Sequence, residues 1–234
     1  MTEDVIKVYG YDLVQDVIGK WSFAELAFTA LTGGTRPTPD QARMTEALLT
    51  TFVDHGVTPS SLATRLTLLG SPEAMQAAIA AGICGAGSRY LGTMQSAGEM
   101  LVEALASDGN ITRAARAVVD RSRAERTQIP GLGHPEHKNG DPRTPRLSEI
   151  ARENGCFGPH CELLIAIADV FAESTGRRLP VNAAGLAGAI VVDLGLPPVA
   201  GRGLAIVSRA AGLVGVVLSE FRDPIAQRIW DDLR

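Results

Sequence analysis

The sequence predicts an all-α fold, and three observations carry that prediction. Helix-start signals recur: Ser22-x-x-Glu25 and Thr38-Pro39-Asp40-Gln41 both have the form of a capping box, the second with proline at the first helical position. Apolar residues return at helical spacing in the segments that follow such signals. Strand signals are few. The clearest, Val191-Val192, is embedded in Ala and Gly that suit close helix packing better than a sheet.

Taken in order, helices are expected after Ser22 and after Thr38. Ser71-Pro72-Glu73 repeats the cap-plus-proline logic and is expected to open an Ala-rich helix running to about Ile83. From Met94 to Leu105, the residues Met94, Ala97, Leu101, Ala104 and Leu105 fall at helical spacing, and Leu163 to Phe171 and Gly201 to Phe221 continue the pattern. Two Gly/Pro-rich zones, near Gly82–Gly92 and Gly195–Gly203, divide the chain into an N-terminal third, a middle segment and a C-terminal helix. That division points to a discontinuous larger domain with a smaller one inserted.

Composition narrows the function classes. The chain has 234 residues, 45% apolar and 21% charged, which suits a globular protein able to bury a sizeable core. Its net charge of −4 argues against nucleic acid or an anionic membrane as partner. No apolar run is read as reaching the roughly 18 residues of a membrane span. The start, Met1-Thr2-Glu3-Asp4, lacks the basic opening of a secretory signal, so the cytoplasm is the expected location. Three cysteines do not make a disulfide framework. Cys156, His160 and Cys161 lie close together, but a structural zinc site draws four ligands from two paired clusters and no second cluster is evident, so no metal is expected.

The most informative segment is Ile129 to Arg143. It holds two of the four histidines, His134 and His137, with Lys138 and Arg143, in fifteen residues too rich in Gly and Pro for a helix. Such a loop gathers backbone N–H groups and cationic side chains, which suits an anionic ligand. Asp141-Pro142-Arg143 also reads as a cap for the helix that follows. His55 stands where an apolar helix ends, in the position of a C-terminal cap or a ligand contact. Arg209 sits in the apolar stretch Leu204 to Leu218; it is either one stripe of an amphipathic helix or a buried cation that needs a carboxylate or ligand. Arg222 and Arg228 read as surface charges unless a second subunit is present. Histidines with several arginines suit a di- or tricarboxylate, because guanidinium pairs bidentately with carboxylate oxygens. The G-x-x-x-x-G-K-[ST], G-x-G-x-x-G and G-x-S-x-G motifs of nucleotide enzymes and hydrolases are missing.

These positions resemble the citrate synthase superfamily in order and spacing, over about residues 5 to 234. The loop resembles its "PGxGHPxxKxxDPR" signature. Tyr9-Gly10-Tyr11-Asp12 and Ser22 to Ala27 resemble its opening, and Leu31 to Thr38 its "LLTG…PT" element. Asp54-His55-Gly56 is similar to the segment whose His contacts the keto-acid. His134 and Arg143 match the pair that binds oxaloacetate or citrate, Ser208-Arg209-Ala210 matches the "SRxxG" arginine, and Phe221-Arg222-Asp223-Pro224 the arginine that reaches into a neighbouring subunit's site. Gly87-Ser88-Arg89-Tyr90-Leu91-Gly92 falls where synthases carry "GPLHGG" and is closer to the "GDRFGG" of citryl-CoA lyases and the lyase module of ATP-citrate lyase.

The resemblance implies an all-α, two-domain citrate-synthase-like fold lacking the long N-terminal part of synthases. Residues 1–91 and 196–234 would form the larger dimerisation domain and 92–195 the smaller CoA and catalytic domain. It implies coenzyme A as thioester substrate or product, a homodimer or higher homo-oligomer, and a small carboxylate or acyl-CoA as ligand. Pro130, Gly131, Leu132, Gly133 and Lys138 would meet the CoA. His55, Arg143, Arg209 and Arg222 would clamp the carboxylates, and His134, Tyr90 and His137 would carry the chemistry. The implied reaction is cleavage of citryl-CoA or a related 3-hydroxyacyl-CoA; the alternatives are synthase-type condensation and a non-catalytic CoA-ester or carboxylate-binding dimer.

Two positions depart from the pattern. Tyr90 replaces the synthase His that bonds the thioester enol. Asn182-Ala183-Ala184-Gly185 stands for "NVDG", so Ala184 occupies the place of the family's catalytic Asp. An alanine moves no proton. Asp193, about nine residues on, aligns with a different, structural Asp.

Overall fold

The computed structural model describes residues 5–54, 56–134 and 137–232. Among them are one short hairpin, a π-helical turn (Leu13–Val17) and eleven α-helices: β1 (Lys7–Val8), β2 (Tyr11–Asp12), α1 (Phe23–Leu31), α2 (Pro39–Thr51), α3 (Pro59–Gly70), α4 (Met75–Leu91), α5 (Thr93–Asp108), α6 (Ile111–Glu125), α7 (Arg143–Glu153), α8 (Pro159–Thr175), α9 (Ala183–Asp193), α10 (Pro198–Arg222) and α11 (Ala226–Asp232). The all-α expectation holds. The hairpin turns on Tyr9 and Gly10, both at positive φ, as a tight two-residue loop requires.

Both expected capping boxes form. Glu25 N donates to Ser22 Oγ at 3.1 Å while Ser22 N donates to Glu25 Oε2 at 2.8 Å. Thr38 and Gln41 exchange the same two bonds at the start of α2. The third expected start is corrected. Ser71 ends α3, its amide donating to Thr67 O, and α4 begins only at Met75 behind Ala74, which supplies no side-chain cap. Pro72 drives its predecessor out of the α region, and Ser71 accordingly lies at φ −144°, ψ 71°, so the proline stops one helix instead of opening the next.

The backbone separates into two compact units, Met1–Leu48 with Met94–Gly201, and Leu49–Thr93 with Arg202–Arg234. The junctions after Thr93 and Gly201 fall beside the two Gly/Pro-rich zones. Residues up to Leu48 group with the middle segment, where Arg43 Nε donates to Asn154 Oδ1 at 2.8 Å.

The first unit is built around α9, which is apolar on every side and almost wholly buried, the pattern of a central core helix. This is why Val191-Val192 sits in a helix. α8 packs on α6 and α9, and α7 on α9, with Leu147, Leu163, Leu164, Ile167, Leu186 and Ile190 fully enclosed. Asp193 at the end of α9 caps α8: its carboxylate, 2% exposed, accepts from the amides of Gly158 (2.9 Å), His160 (3.1 Å) and Cys161 (3.1 Å), and meets His160 Nδ1 at 2.8 Å. His160 and Cys161 thus belong to the capped start of α8, with Cys156 three residues before it, and burial pushes the Cys161 thiol far above its ordinary range, with Asp193 adding to the effect.

In the second unit α3 packs against α4 and α11 against α3, around Leu68, Ala78 and Val217. Ser60 Oγ donates to Gly82 O at 2.7 Å. Arg65 pairs with Glu220, whose other carboxylate oxygen accepts from the amides of Ile225 and Ala226 and so caps α11. α10 corrects one expectation, since by length and composition alone it could cross a membrane, with mean hydropathy 1.7. One third of that apolar window is buried, and the helix encloses Leu204, Leu213 and Val217.

Candidate active site

Glycine geometry sets the loop that carries the candidate residues. Gly131 and Gly133 lie at φ +91° and +76°, in the left-handed region that other residues rarely enter. These turns fold the loop onto the segment leading into α9. Leu132 bridges Val181, Gly133 N donates to Pro180 O (2.8 Å), and Asn182 N donates to Gly131 O (2.9 Å). The Asn182 side chain adds a bond from Nδ2 to Gly133 O (2.7 Å), while its Oδ1 accepts from Gly185 N (2.9 Å) and caps α9. One asparagine therefore fixes both the loop and the helix start. Beside Pro130 lies a cleft of about 110 Å³, floored by Met100, Val118 and Ile129 and edged by Arg121 and Gln128.

His134 follows directly. Its Nδ1 accepts the backbone N–H of His137 at 3.1 Å, and the two rings lie 4.5 Å apart at 37°. Accepting at Nδ1 leaves the proton of a neutral imidazole on Nε2, so His134 is a hydrogen-bond donor there. Lys138 is exposed in the turn that Gly140 N closes on His137 O (3.1 Å).

Arg143 opens α7, and its side chain, 27% exposed, is held by Asp141. Nε meets Oδ1 at 2.9 Å and one terminal nitrogen meets Oδ2 at 2.8 Å, a two-pronged pair. The Asp141 side chain is fully buried, and its carboxylate also accepts from the amides of Arg143 (3.1 Å) and Ala183 (3.1 Å). Burial by itself would raise this carboxyl. The bonds from Arg143 and Ala183 outweigh it and hold the group at about 2. Asp141 therefore does more than cap α7: it joins the starts of α7 and α9. Ala184, half-buried, is the second residue of α9 beside the amide that Asp141 holds.

The first unit thus gathers Pro130, Gly131, Leu132, Gly133, His134, His137, Lys138 and Arg143 around one loop. Tyr90, Arg209 and Arg222 belong to the second unit. Tyr90 is 52% exposed on α4, with the Arg89 guanidinium 5.9 Å from its ring centre; Arg209 is half-buried on α10; Arg222 is the exposed last residue of that helix. His55 lies outside the described residues. Sequence reasoning missed the functions of Asp141 and Asn182. The signal for Asp141 was an acidic residue two positions before an arginine at a helix start.

Residues 7–230 match the family described as citrate synthase, C-terminal domain. Citryl-CoA lyase from Hydrogenobacter thermophilus is similar in structure, with a TM-score of 0.83 and 33% identity, over 91% of this chain and 81% of that one. ATP citrate lyase from Methanothrix soehngenii, solved with citrate and coenzyme A, aligns at TM-score 0.75 and 22% identity over 91% of this chain and 36% of that one. Citrate synthase from Thermotoga maritima MSB8 aligns at TM-score 0.69 and 18% identity over 87% and 55%. These two share the fold. No curated protein matches the sequence. With its family match spanning nearly the whole chain and 33% identity to a citryl-CoA lyase over the aligned residues, the chain belongs to the citrate synthase family.

Proposed function

We propose that the chain is a carbon–carbon lyase of the citryl-CoA lyase type, cleaving citryl-CoA or a related 3-hydroxyacyl-CoA to a keto-acid and an acyl-CoA. The observation that carries this reading is the likeness to the Hydrogenobacter thermophilus citryl-CoA lyase across most of both chains. The candidate site is consistent with it.

In the cleavage, the bond between the carbinol carbon and the thioester α-carbon breaks. The hydroxyl passes its proton to a water molecule as the carbonyl forms, and the electron pair passes to the thioester enolate, which takes up a proton from His137 or water to become the acyl-CoA. Arg143 pairs with a carboxylate of the acid half, joined by Arg209, His55 and, from a second copy of the chain, Arg222. His134, a donor at Nε2, steadies the oxygen that becomes the keto oxygen; in that tautomer it stabilises the alkoxide and does not remove its proton. Tyr90 donates to the enolate oxygen and His137 serves the α-carbon. The Pro130–Gly133 backbone, with Lys138, takes the coenzyme A.

A second reading, a dimer that binds a CoA ester or carboxylate without turnover, is favoured by Ala184 alone, which brings no ionisable group to the start of α9. Purified protein supplied with citryl-CoA decides between them when oxaloacetate release is followed by coupled NADH oxidation. Release is the expected result. Binding of the ester without release selects the second reading.

A further inference from the structure

The carboxylate of Asp141 is the most heavily engaged polar group beside the loop, and no step of the proposed chemistry uses it. It accepts from four donors on two residues: the guanidinium of Arg143 twice, the amide of Arg143 and the amide of Ala183. Its side chain is entirely enclosed, so it meets no substrate itself. We infer that Asp141 is the positioning residue of the carboxylate clamp, fixing the plane of the Arg143 guanidinium against the start of α9.

The physical argument is one of orientation. An arginine side chain has several rotatable bonds, and a substrate that must order it loses affinity through the entropy of doing so. Two parallel bonds from Nε and one terminal nitrogen to a buried carboxylate remove that freedom beforehand and define which edge of the fork faces Asp141. The same carboxylate anchors Ala183, the neighbour of Asn182, whose amide nitrogens hold Gly131 O and Gly133 O. The arginine is thereby referenced to the backbone of the loop and not to solvent. The inference rests on the reading of Arg143 as a carboxylate clamp.

Asp141→Asn separates this function from simple bracing. The amide has the same shape and keeps one acceptor oxygen for Ala183 N, but it turns an NH2 toward the guanidinium and forfeits the charge. The probes are citrate and, separately, coenzyme A, titrated calorimetrically into the full chain as wild type, Asp141→Asn, Arg143→Lys and the double variant. Citrate binding should weaken by about 10-fold or more in Asp141→Asn, the scale of one charged hydrogen bond, with coenzyme A binding unchanged. The double variant should bind citrate no worse than Arg143→Lys, since both changes remove one unit of function. Unchanged citrate binding in Asp141→Asn overturns the inference, and so does an equal loss for both ligands, which marks a structural brace. If Asp141→Asn does not fold, Asp141→Glu, which keeps the charge but displaces it by one methylene, is read by the same criteria.

A second readout needs no ligand. The Arg143 Nε–H should give a slowly exchanging signal in the 15N spectrum of the wild type that is lost in Asp141→Asn; a signal indifferent to the substitution contradicts the inference. Absence of citrate binding by the wild type, with that signal behaving as expected, would refute the clamp reading while leaving the orientation of Arg143 by Asp141 established.

Discussion

Gly131 and Gly185 meet backbone to backbone: a methyl group on Gly131 would stand 2.8 Å from the Gly185 Cα, closer than any real side chain approaches. The loop proposed to hold coenzyme A is pressed directly on the first turn of α9. Gly131 also lies at φ +91°, so two independent costs attach to one side chain there.

Gly131→Ala is therefore expected to lower stability by about 2 kcal/mol or more, through backbone strain and overpacking together. In a chain of this size that corresponds to a fall of roughly 4–8 °C in Tm. Coenzyme A binding should weaken with it. Differential scanning calorimetry checks the first expectation, and an unchanged Tm would show that the loop does not rest on α9.

Acid stability should carry the signature of Asp141. Its carboxyl ionises at about 2 in the folded chain, below the ordinary 3.8. A group depressed in this way contributes its full stability above the unfolded value and loses it as the pH falls through the folded one. The contribution, about 2 kcal/mol, should be complete above roughly pH 4 and drain away between about pH 4 and pH 2. Urea unfolding of wild type and Asp141→Asn across that range should show their stability gap closing toward pH 2. A gap that does not depend on pH contradicts the assignment.

Arg143→Leu removes the clamp and strands the buried Asp141 carboxylate. Citrate binding should be abolished, and stability should drop by about 3 kcal/mol, the scale for leaving one member of a buried pair without its partner. Citrate titration and urea unfolding give the two numbers. Unchanged citrate binding would sink the clamp.

Asp193 is set apart from the chemistry by its bonds. Three amides and the His160 ring occupy it at the start of α8. Asp193→Ala should cost about 2–3 kcal/mol through loss of a buried cap and exposure of several amides to an apolar site, while activity per folded molecule stays the same. A selective loss of activity in a fully folded variant would instead make Asp193 the replacement for the acid that Ala184 lacks.

Local chemistry was legible in the sequence. Ser22 and Thr38 announce their helices because each box closes within four residues, and Gly131, Gly133, His134 and Arg143 form one loop because they lie in one short run. Ser71 misled because the cap signal and the proline rule compete there, and the proline prevailed. Relationships between distant segments were hidden. Asp141 meets Ala183 across 42 residues, and Asn182 meets Gly133 across 49, so neither pairing has a local signal. The same holds for Asp193 and the cluster at His160, which reads as a half-formed metal site until the carboxylate 33 residues on is seen to cap it. The junction after Leu48 leaves no mark either, because α2 runs through it unbroken.

The proposed cleavage of a citryl-CoA-type ester has to proceed although Ala184 stands at the start of α9. The direct test is turnover of citryl-CoA by purified wild type beside Ala184→Asp, measured as oxaloacetate released. Release by the wild type is the expected result, with the proton donor then sought among Tyr90, His134 and His137. No release by the wild type, with release gained in Ala184→Asp, would contradict it and identify a chain that binds without turning over.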